Sequence, residues 1–163
     1  MKKLIVVLFL FAGVLAKAQQ EIKVDFADAI VMKTLEISYE YYLSDQSSIG
    51  LSALFNLEKQ SAKFRYNENQ MFTPYFRHYL TSNKNWNHFG EVFLGINSGK
   101  RKLDNGALKQ YTDGALGVAF GSKYVSNGGL LLGGYVGIGR NLFTPDSYAA
   151  VPRIGLNIGY RFN

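Results

Sequence analysis

The residues best suited to acid–base or nucleophilic chemistry are the only two histidines of the 163-residue chain, His78 and His88. A nucleophilic site needs a base within hydrogen-bond reach of its nucleophile, and the sequence shows no recognisable nucleophile partner for either histidine. Neither the two histidines nor any histidine–carboxylate set has the spacing of a zinc site, and the chain has no cysteine. The sequence therefore predicts no catalytic residue and no metal site.

The segment FRHYLTSN around His78 is superficially similar to the His-x-Ser motif of outer-membrane lipid A deacylases, which are small barrels. Leu80 stands where that serine belongs. His78 is also predicted at the strand end nearest a short turn, which is the wrong side for lipopolysaccharide chemistry. A structural histidine at the membrane interface is favoured, and a lipid-modifying enzyme of the outer leaflet is the alternative.

The glycines of GGYVGIG, residues 133–139, resemble a phosphate-binding loop only in composition. Their spacing is not G-x-G-x-x-G, and no helical pattern follows them. Glycine within a strand leaves room where another group approaches closely. These glycines are therefore interpreted as packing room inside a barrel, and no cofactor is predicted.

Charged residues occupy alternate positions in several segments, which places them on one face of predicted strands. An eight-stranded barrel has an interior just wide enough for side chains to fill. Opposite charges on this face are therefore predicted to form a salt-bridged plug in the lumen, with a proton or ion path as the alternative. The predicted network comprises Glu36, Glu40, Glu58, Arg77, Glu91, Asp113, Arg153 and Arg161.

The elements that carry these charges alternate apolar and polar residues with a period of two, which is typical of strands. The final segment, 151–162, is long enough to cross a bilayer as a strand, for which about 9–11 residues suffice. Its apolar row ends in Tyr160 and Phe162, which are predicted to belong to an interfacial aromatic girdle. Similar segments occur at 22–29, 33–43, 48–58, 72–80, 91–97, 112–120 and 130–139.

The connections between these eight segments differ in length. Those after the second, fourth and sixth strands are compact, and those near 59–70, 98–110 and 140–150 are longer and polar. Short turns on one side and longer loops on the other are typical of outer-membrane barrels. The predicted fold is all-β, an eight-stranded antiparallel up-and-down transmembrane β-barrel. The first connection, near residues 30–32, is ill-defined.

The N-terminus has the pattern of a secretory signal peptide, with Lys2 and Lys3 before an apolar run from Leu4 to Leu15 and then Ala-Lys-Ala. Cleavage is predicted before Gln19, so residues 1–18 are the signal and residues 19–163 the barrel. Removing the signal takes three lysines, and the net charge falls from +6 to +3. A nucleic-acid partner is not predicted from so small a charge.

Two stretches, LEISYEYYLSDQSSIGLSALF and TPYFRHYL, carry a resemblance to known proteins. The mature chain resembles the small eight-stranded barrels of the OmpA and OmpX type. The resemblance is stronger to a family of uncharacterised Bacteroidota outer-membrane barrels, and it implies a fold and a location but no activity. The ending GYRFN is similar to the C-terminal signal that the barrel insertion machinery reads, although Asn163 follows the aromatic residue.

These observations predict a non-enzymatic integral outer-membrane protein with a structural, adhesive or ligand-binding role. The expected partners are outer-membrane lipid, lipopolysaccharide and the insertion machinery, while the extracellular ligand is unknown. Basic loop residues are candidates for contact with lipopolysaccharide phosphates, or else form a solvated loop: Lys59, Lys63, Arg65, Lys100, Arg101, Lys102 and Lys109. A soluble lipocalin-like carrier is a further alternative, because alternation alone does not say which row faces inward.

Overall fold

A computed structural model of the chain shows eight antiparallel strands that close into a barrel in sequence order. The structure describes residues 19–25, 34–57, 68–81, 85–102, 106, 108–145 and 147–162. The strands are β1 (Gln20–Asp25), β2 (Thr34–Ser44), β3 (Ser47–Asn56), β4 (Glu68–Tyr79), β5 (Trp86–Lys102), β6 (Leu108–Val125), β7 (Leu130–Asn141) and β8 (Ala150–Phe162). The predicted all-β, eight-stranded up-and-down barrel is confirmed. In the residues described, no helix has the length and apolar character needed to cross a membrane.

The barrel closes between its first and last strands. β8 pairs with β1 in antiparallel register from Gln20↔Phe162 to Asp25↔Asn157. Backbone groups at an open sheet edge have no partner in lipid, so a spanning sheet must close in this way. The regular alternation at the C-terminus therefore serves a strand that is paired on both sides.

The apolar rows face outward and the charged rows face the lumen. On β8, the side chain of Ile158 is 43% exposed, whereas its neighbour Asn157 is 6% exposed. The same contrast separates Ile37 from Glu36 on β2. A soluble carrier would place its apolar row around an internal ligand cavity, and this arrangement is the reverse.

Several strands differ in extent from the sequence prediction. β5 continues past Asn97 to Lys102 and pairs with β6 as far as Lys102↔Leu108, in a region predicted to be loop. β6 also continues to Val125, so its connection to β7 is only Ser126–Gly129 rather than the eight residues from Ser122. Backbone pairing persists where the outward apolar pattern has ended, and the apolar pattern therefore underestimates strand length.

Some sequence predictions fall outside the described residues. These are the signal peptide 1–18, the part of the predicted first strand beyond Asp25, the first connection near 30–32, and the side chains of Glu58, Lys59, Lys63, Arg65 and Lys102.

The lumen holds large aromatic rings because glycines lie opposite them. A Cβ at Gly50 would meet the ring of Tyr75, and a Cβ at Gly117 would meet Phe93. The glycines of residues 133–139, on β7, are predicted to make this room, but the space for Tyr75 comes from Gly50 of β3. The rings are almost fully buried, so side chains fill the barrel at this level.

Candidate functional site

The candidate site is a network of buried ion pairs in the lumen, which begins near the end of the barrel where β1 starts and β8 finishes. Glu21 accepts hydrogen bonds from Arg161 Nη2 at 2.7 Å and from Lys123 Nζ at 2.7 Å. Lys23 lies between Glu21, at 3.3 Å, and Glu40, with which it also forms an ion pair. The hydroxyl groups of tyrosine and serine side chains donate further hydrogen bonds to these two carboxylates. The part of the network at this end of the barrel is called the lysine cluster: Glu21, Lys23, Glu40 and Lys123.

The network continues toward the opposite end of the barrel through two arginines. Arg77 donates to Glu40 through Nη1 at 2.9 Å and to Glu91 through Nε at 2.6 Å. Arg153 then joins Glu91, at 2.9 Å, to Glu36, at 3.1 Å. Arg77 and Glu91 are directly opposite each other on β4 and β5, so the strand register itself sets this contact. The ion pairs therefore run without interruption from Arg161 to Glu36.

Aromatic rings surround the two central arginines. The guanidinium of Arg77 lies 4.2 Å from the ring centre of Phe89 and 4.5 Å from that of Tyr75. Arg153 lies 4.9 Å from the ring centre of Tyr135. Cation–π contacts of this kind add to the ion pairs when the groups are desolvated. Charged and aromatic groups together fill the described lumen at this level, which suits a plug better than a water-filled path.

Six of the eight residues in the predicted charge network lie in the observed one. They are Glu36, Glu40, Arg77, Glu91, Arg153 and Arg161. Glu58 lies outside the described residues. Asp113 faces inward but has a different role, since it accepts hydrogen bonds from the backbone N–H groups of Gly114, Phe143 and Thr144 and from the hydroxyl of Ser147. It anchors the β7–β8 loop.

Sequence reasoning missed the lysine cluster apart from Glu40. The signal that identifies Glu21 and Lys23 is their alternation with Ile22 and Val24, which places both charged side chains on one face of a strand. The apolar alternation predicts that β6 ends at Phe120, and this bound puts Lys123 in the following turn. Continuing the alternation from Ala119 would have placed Lys123 in the lumen.

The predicted aromatic girdle residues lie on the outer surface near the end of β8. Tyr160 and Phe162 are each 47% exposed, and their ring centres are 5.1 Å apart in an edge-to-face arrangement. Trp86 and Tyr124 form a second outward pair at the same end of the barrel, with ring centres 5.5 Å apart. Aromatic pairs at this height are typical of the membrane interface.

His78 lies on the outer surface near the short β4–β5 connection. Its Nδ1 atom lies 3.4 Å from the hydroxyl oxygen of Ser47, which is directly opposite it on β3 and is not predictable from sequence spacing alone. This distance is long for a hydrogen bond that involves a hydroxyl. The described residues show no carboxylate bonded to the histidine ring, and no group of three or more His, Cys, Asp or Glu side chains placed to hold a metal ion.

At the opposite end, the basic residues of the long hairpin have different surroundings. Arg101 donates to the backbone carbonyl groups of Pro145 and Ser147, at 3.4 and 3.1 Å, and so holds the β7–β8 loop. Lys100 is exposed on the outward row of β5. The guanidinium of Arg101 is therefore partly used in hydrogen bonds to the β7–β8 loop, whereas the side chain of Lys100 is exposed to solvent.

Solved structures similar to this chain are small outer-membrane barrels. The N-terminal β-barrel domain of Pseudomonas aeruginosa OprF has a TM-score of 0.64 and 13% identity over 89% of this chain and 96% of that one. Neisserial surface protein A has a TM-score of 0.51 and 14% identity over 88% and 92%. The Yersinia pestis outer membrane protein Ail, in a phospholipid bilayer nanodisc, has a TM-score of 0.50 and 12% identity over 90% and 100%. At these identities the similarity shows a shared fold.

One family model matches nearly the whole sequence, over residues 4–162, and its description is "Protein of unknown function (DUF3575)". No curated protein sequence matches the chain.

Proposed function

The chain belongs to the DUF3575 family of proteins of unknown function, and from its own geometry we propose that it is an integral outer-membrane β-barrel with a structural or adhesive role and a closed lumen. The observation that carries the proposal is that the apolar rows of the strands face outward while the paired charges face the lumen. An apolar outer band around a polar interior is the pattern of membrane barrels. The likeness in fold to outer-membrane proteins supports the same location.

A role at the cell surface is supported by the long β5–β6 hairpin. Both strands continue beyond Ile96 and Gly114, where outward residues become polar, and they carry Lys100 and Gln110 on that side. In outer-membrane barrels the short turns face the periplasm and the longer loops face outward, so this hairpin, at the end opposite the short turns, projects outward from the membrane. It is the part of the described chain best placed to contact another surface or a ligand.

A non-enzymatic role fits the chemistry of the described residues. The lumenal carboxylates Glu21, Glu40 and Glu91 are each held by two or more cations, which opposes their use as general bases. Ser47 and His78 lie at the periplasmic end, away from the outer leaflet in which lipid A resides. We therefore favour the structural or adhesive role over the lipid-modifying enzyme.

We expect no large stable conductance from the purified protein in planar lipid bilayers. Arg77, Arg153 and the rings of Tyr75 and Phe93 occupy the centre of the lumen, so no open aqueous path remains at that level. A general porin reconstituted in the same lipids serves as the positive control. A steady porin-sized current from the folded protein would contradict the closed lumen.

A further inference from the structure

The outer face of the barrel has a groove where an arginine lies beside apolar residues. On the outward rows of the described side chains, charged residues occur only at Lys100 and Arg140. Arg140 is exposed on β7 and lies directly opposite Leu116 on β6 and Ala150 on β8. Leu116 is in turn opposite Leu94, so this arginine borders the apolar band rather than the projecting hairpin.

The groove beside Arg140 has a volume of about 600 Å³. Its walls are almost wholly apolar, and Gly117 and Gly139 contribute to its lining through their backbones. The lining comprises Val92, Leu116, Gly117, Val118, Ile138, Gly139, Arg140, Ala149 and Ala150. A volume of this size, with apolar walls and one polar group at its edge, is typical of a site for a small ligand.

The β7–β8 loop is held firmly at the edge of the groove. Asp113 binds three backbone N–H groups and the hydroxyl of Ser147, and the backbone N–H of Asn141 donates to Ala149 at 3.0 Å. The groove wall formed by Ala149 and Ala150 is therefore part of an ordered structure.

Arg140 has no ion pair or hydrogen bond with the described residues, which distinguishes it from the lumenal arginines Arg77 and Arg153. An arginine on the lipid-facing side of a barrel is unfavourable unless it lies near the interface or finds a partner. Phosphate is a well-matched partner, because the planar guanidinium binds it through two parallel hydrogen bonds. In a membrane lipid, acyl chains accompany such a phosphate, and the apolar groove beside Arg140 has room for an acyl chain.

We propose that this groove is a binding site for a phosphorylated glycolipid of the outer leaflet, the lipid A part of lipopolysaccharide, with its phosphate on Arg140 and an acyl chain along Leu116, Val118 and Ile138. The inference rests on the proposed function, since it places the β7–β8 loop on the outer side of the membrane. On that side the lipid with both a phosphorylated headgroup and acyl chains is lipopolysaccharide.

The test is native mass spectrometry of the full chain, purified from the membranes of expressing cells in detergent. Three lipids are added in turn: bis-phosphorylated lipid A, lipid A without phosphates, and phosphatidylglycerol. We expect lipid A to bind best, and binding to fall at least about fivefold when the phosphates are removed or when Arg140→Gln is introduced, because one charge-assisted contact is lost in either case.

Two controls isolate the groove. Lys100→Gln removes the other cation found on the outward rows of the described side chains, and is expected to leave lipid A binding within about twofold, as is typical of a substitution that touches no partner. Ala150→Leu fills the groove without changing charge and is expected to reduce binding, whereas Ala53→Leu, the same change on the outward row of β3, is not.

Equal lipid A binding by the wild-type protein and Arg140→Gln would overturn the proposed site. Phosphatidylglycerol that binds as well as lipid A would overturn the assignment of the lipid. Heat-modifiable gel migration of each sample separates these results from a failure of the proposed function. A protein that forms a folded barrel in detergent but shows no Arg140 dependence refutes only the groove.

Discussion

Glu40→Gln is expected to lower the free energy of unfolding of the barrel by about 3–5 kcal/mol, the cost of breaking a buried ion pair from one side. The carboxylate of Glu40 is 0% exposed and pairs with Lys23, Arg77 and Lys123. Glutamine keeps the shape of the side chain but removes the charge, which leaves three cations crowded in a desolvated lumen. The measurement is urea unfolding in lipid vesicles.

Glu68→Gln provides a matched control. Glu68 is also a fully buried lumenal glutamate, but neither of its carboxylate oxygens has a hydrogen-bond partner in the described structure. Removing a buried charge that has no ionic partner relieves desolvation, so we expect a change within about 1 kcal/mol or a gain in stability. Equal losses in the two variants would show that the ion-pair network is not what makes Glu40 important.

Ile158→Arg is expected to destabilise the barrel more than Ile158→Met does, by about 2–4 kcal/mol if the site is near the bilayer midplane and less toward the interface. Ile158 faces outward and Asn157 faces the lumen. The corresponding comparison, Asn157→Arg against Asn157→Met, controls for side-chain size in the lumen. The arginine penalty should be larger at Ile158 by at least about 1 kcal/mol when both sites are measured by urea unfolding in vesicles.

A second pair of sites repeats the comparison on another strand. Ile37 faces outward on β2, and its neighbour Ser38 faces inward opposite Ser52. The arginine penalty should again be larger at the outward site. A larger penalty at Asn157 and Ser38 would mean that the outward rows are not in contact with lipid.

The architecture was predictable because a two-residue period records which side of a sheet each residue faces. The alternation of Ile154, Leu156 and Ile158 with Arg153, Gly155 and Asn157 is enough to predict a strand with one apolar face. Alternation alone does not tell whether the apolar face points inward or outward, because a lipocalin-like carrier and a membrane barrel have the same two-residue period. The charged residues on the other face are needed to decide it. The structure places those charges in the lumen.

The site was only partly predictable, since contacts across the lumen depend on several strands at once. Arg77 and Glu91 were both recognised as lumenal, but their pairing follows from the register of β4 and β5. Lys123 was missed because β6 continues past its apolar stretch. Asp113 was correctly placed on the inward row, yet its partners belong to a loop that is distant in sequence.

The space for the aromatic side chains also depends on residues that are distant in the sequence. Gly155 lies next to the ring of Tyr135, and Gly50 lies next to that of Tyr75. Sequence composition indicates that glycines are available in the strands, but it does not say which glycine meets which ring. That assignment depends on the closed barrel.

The most direct test of the account is the fractionation of cells that express the full chain, combined with heat-modifiable gel migration. The account predicts that the protein sediments with outer membranes, resists carbonate extraction, and migrates differently before and after boiling, because a closed and lipid-embedded barrel withstands detergent until it is heated. Recovery of the protein in the soluble periplasmic fraction, with the same mobility before and after boiling, would contradict it.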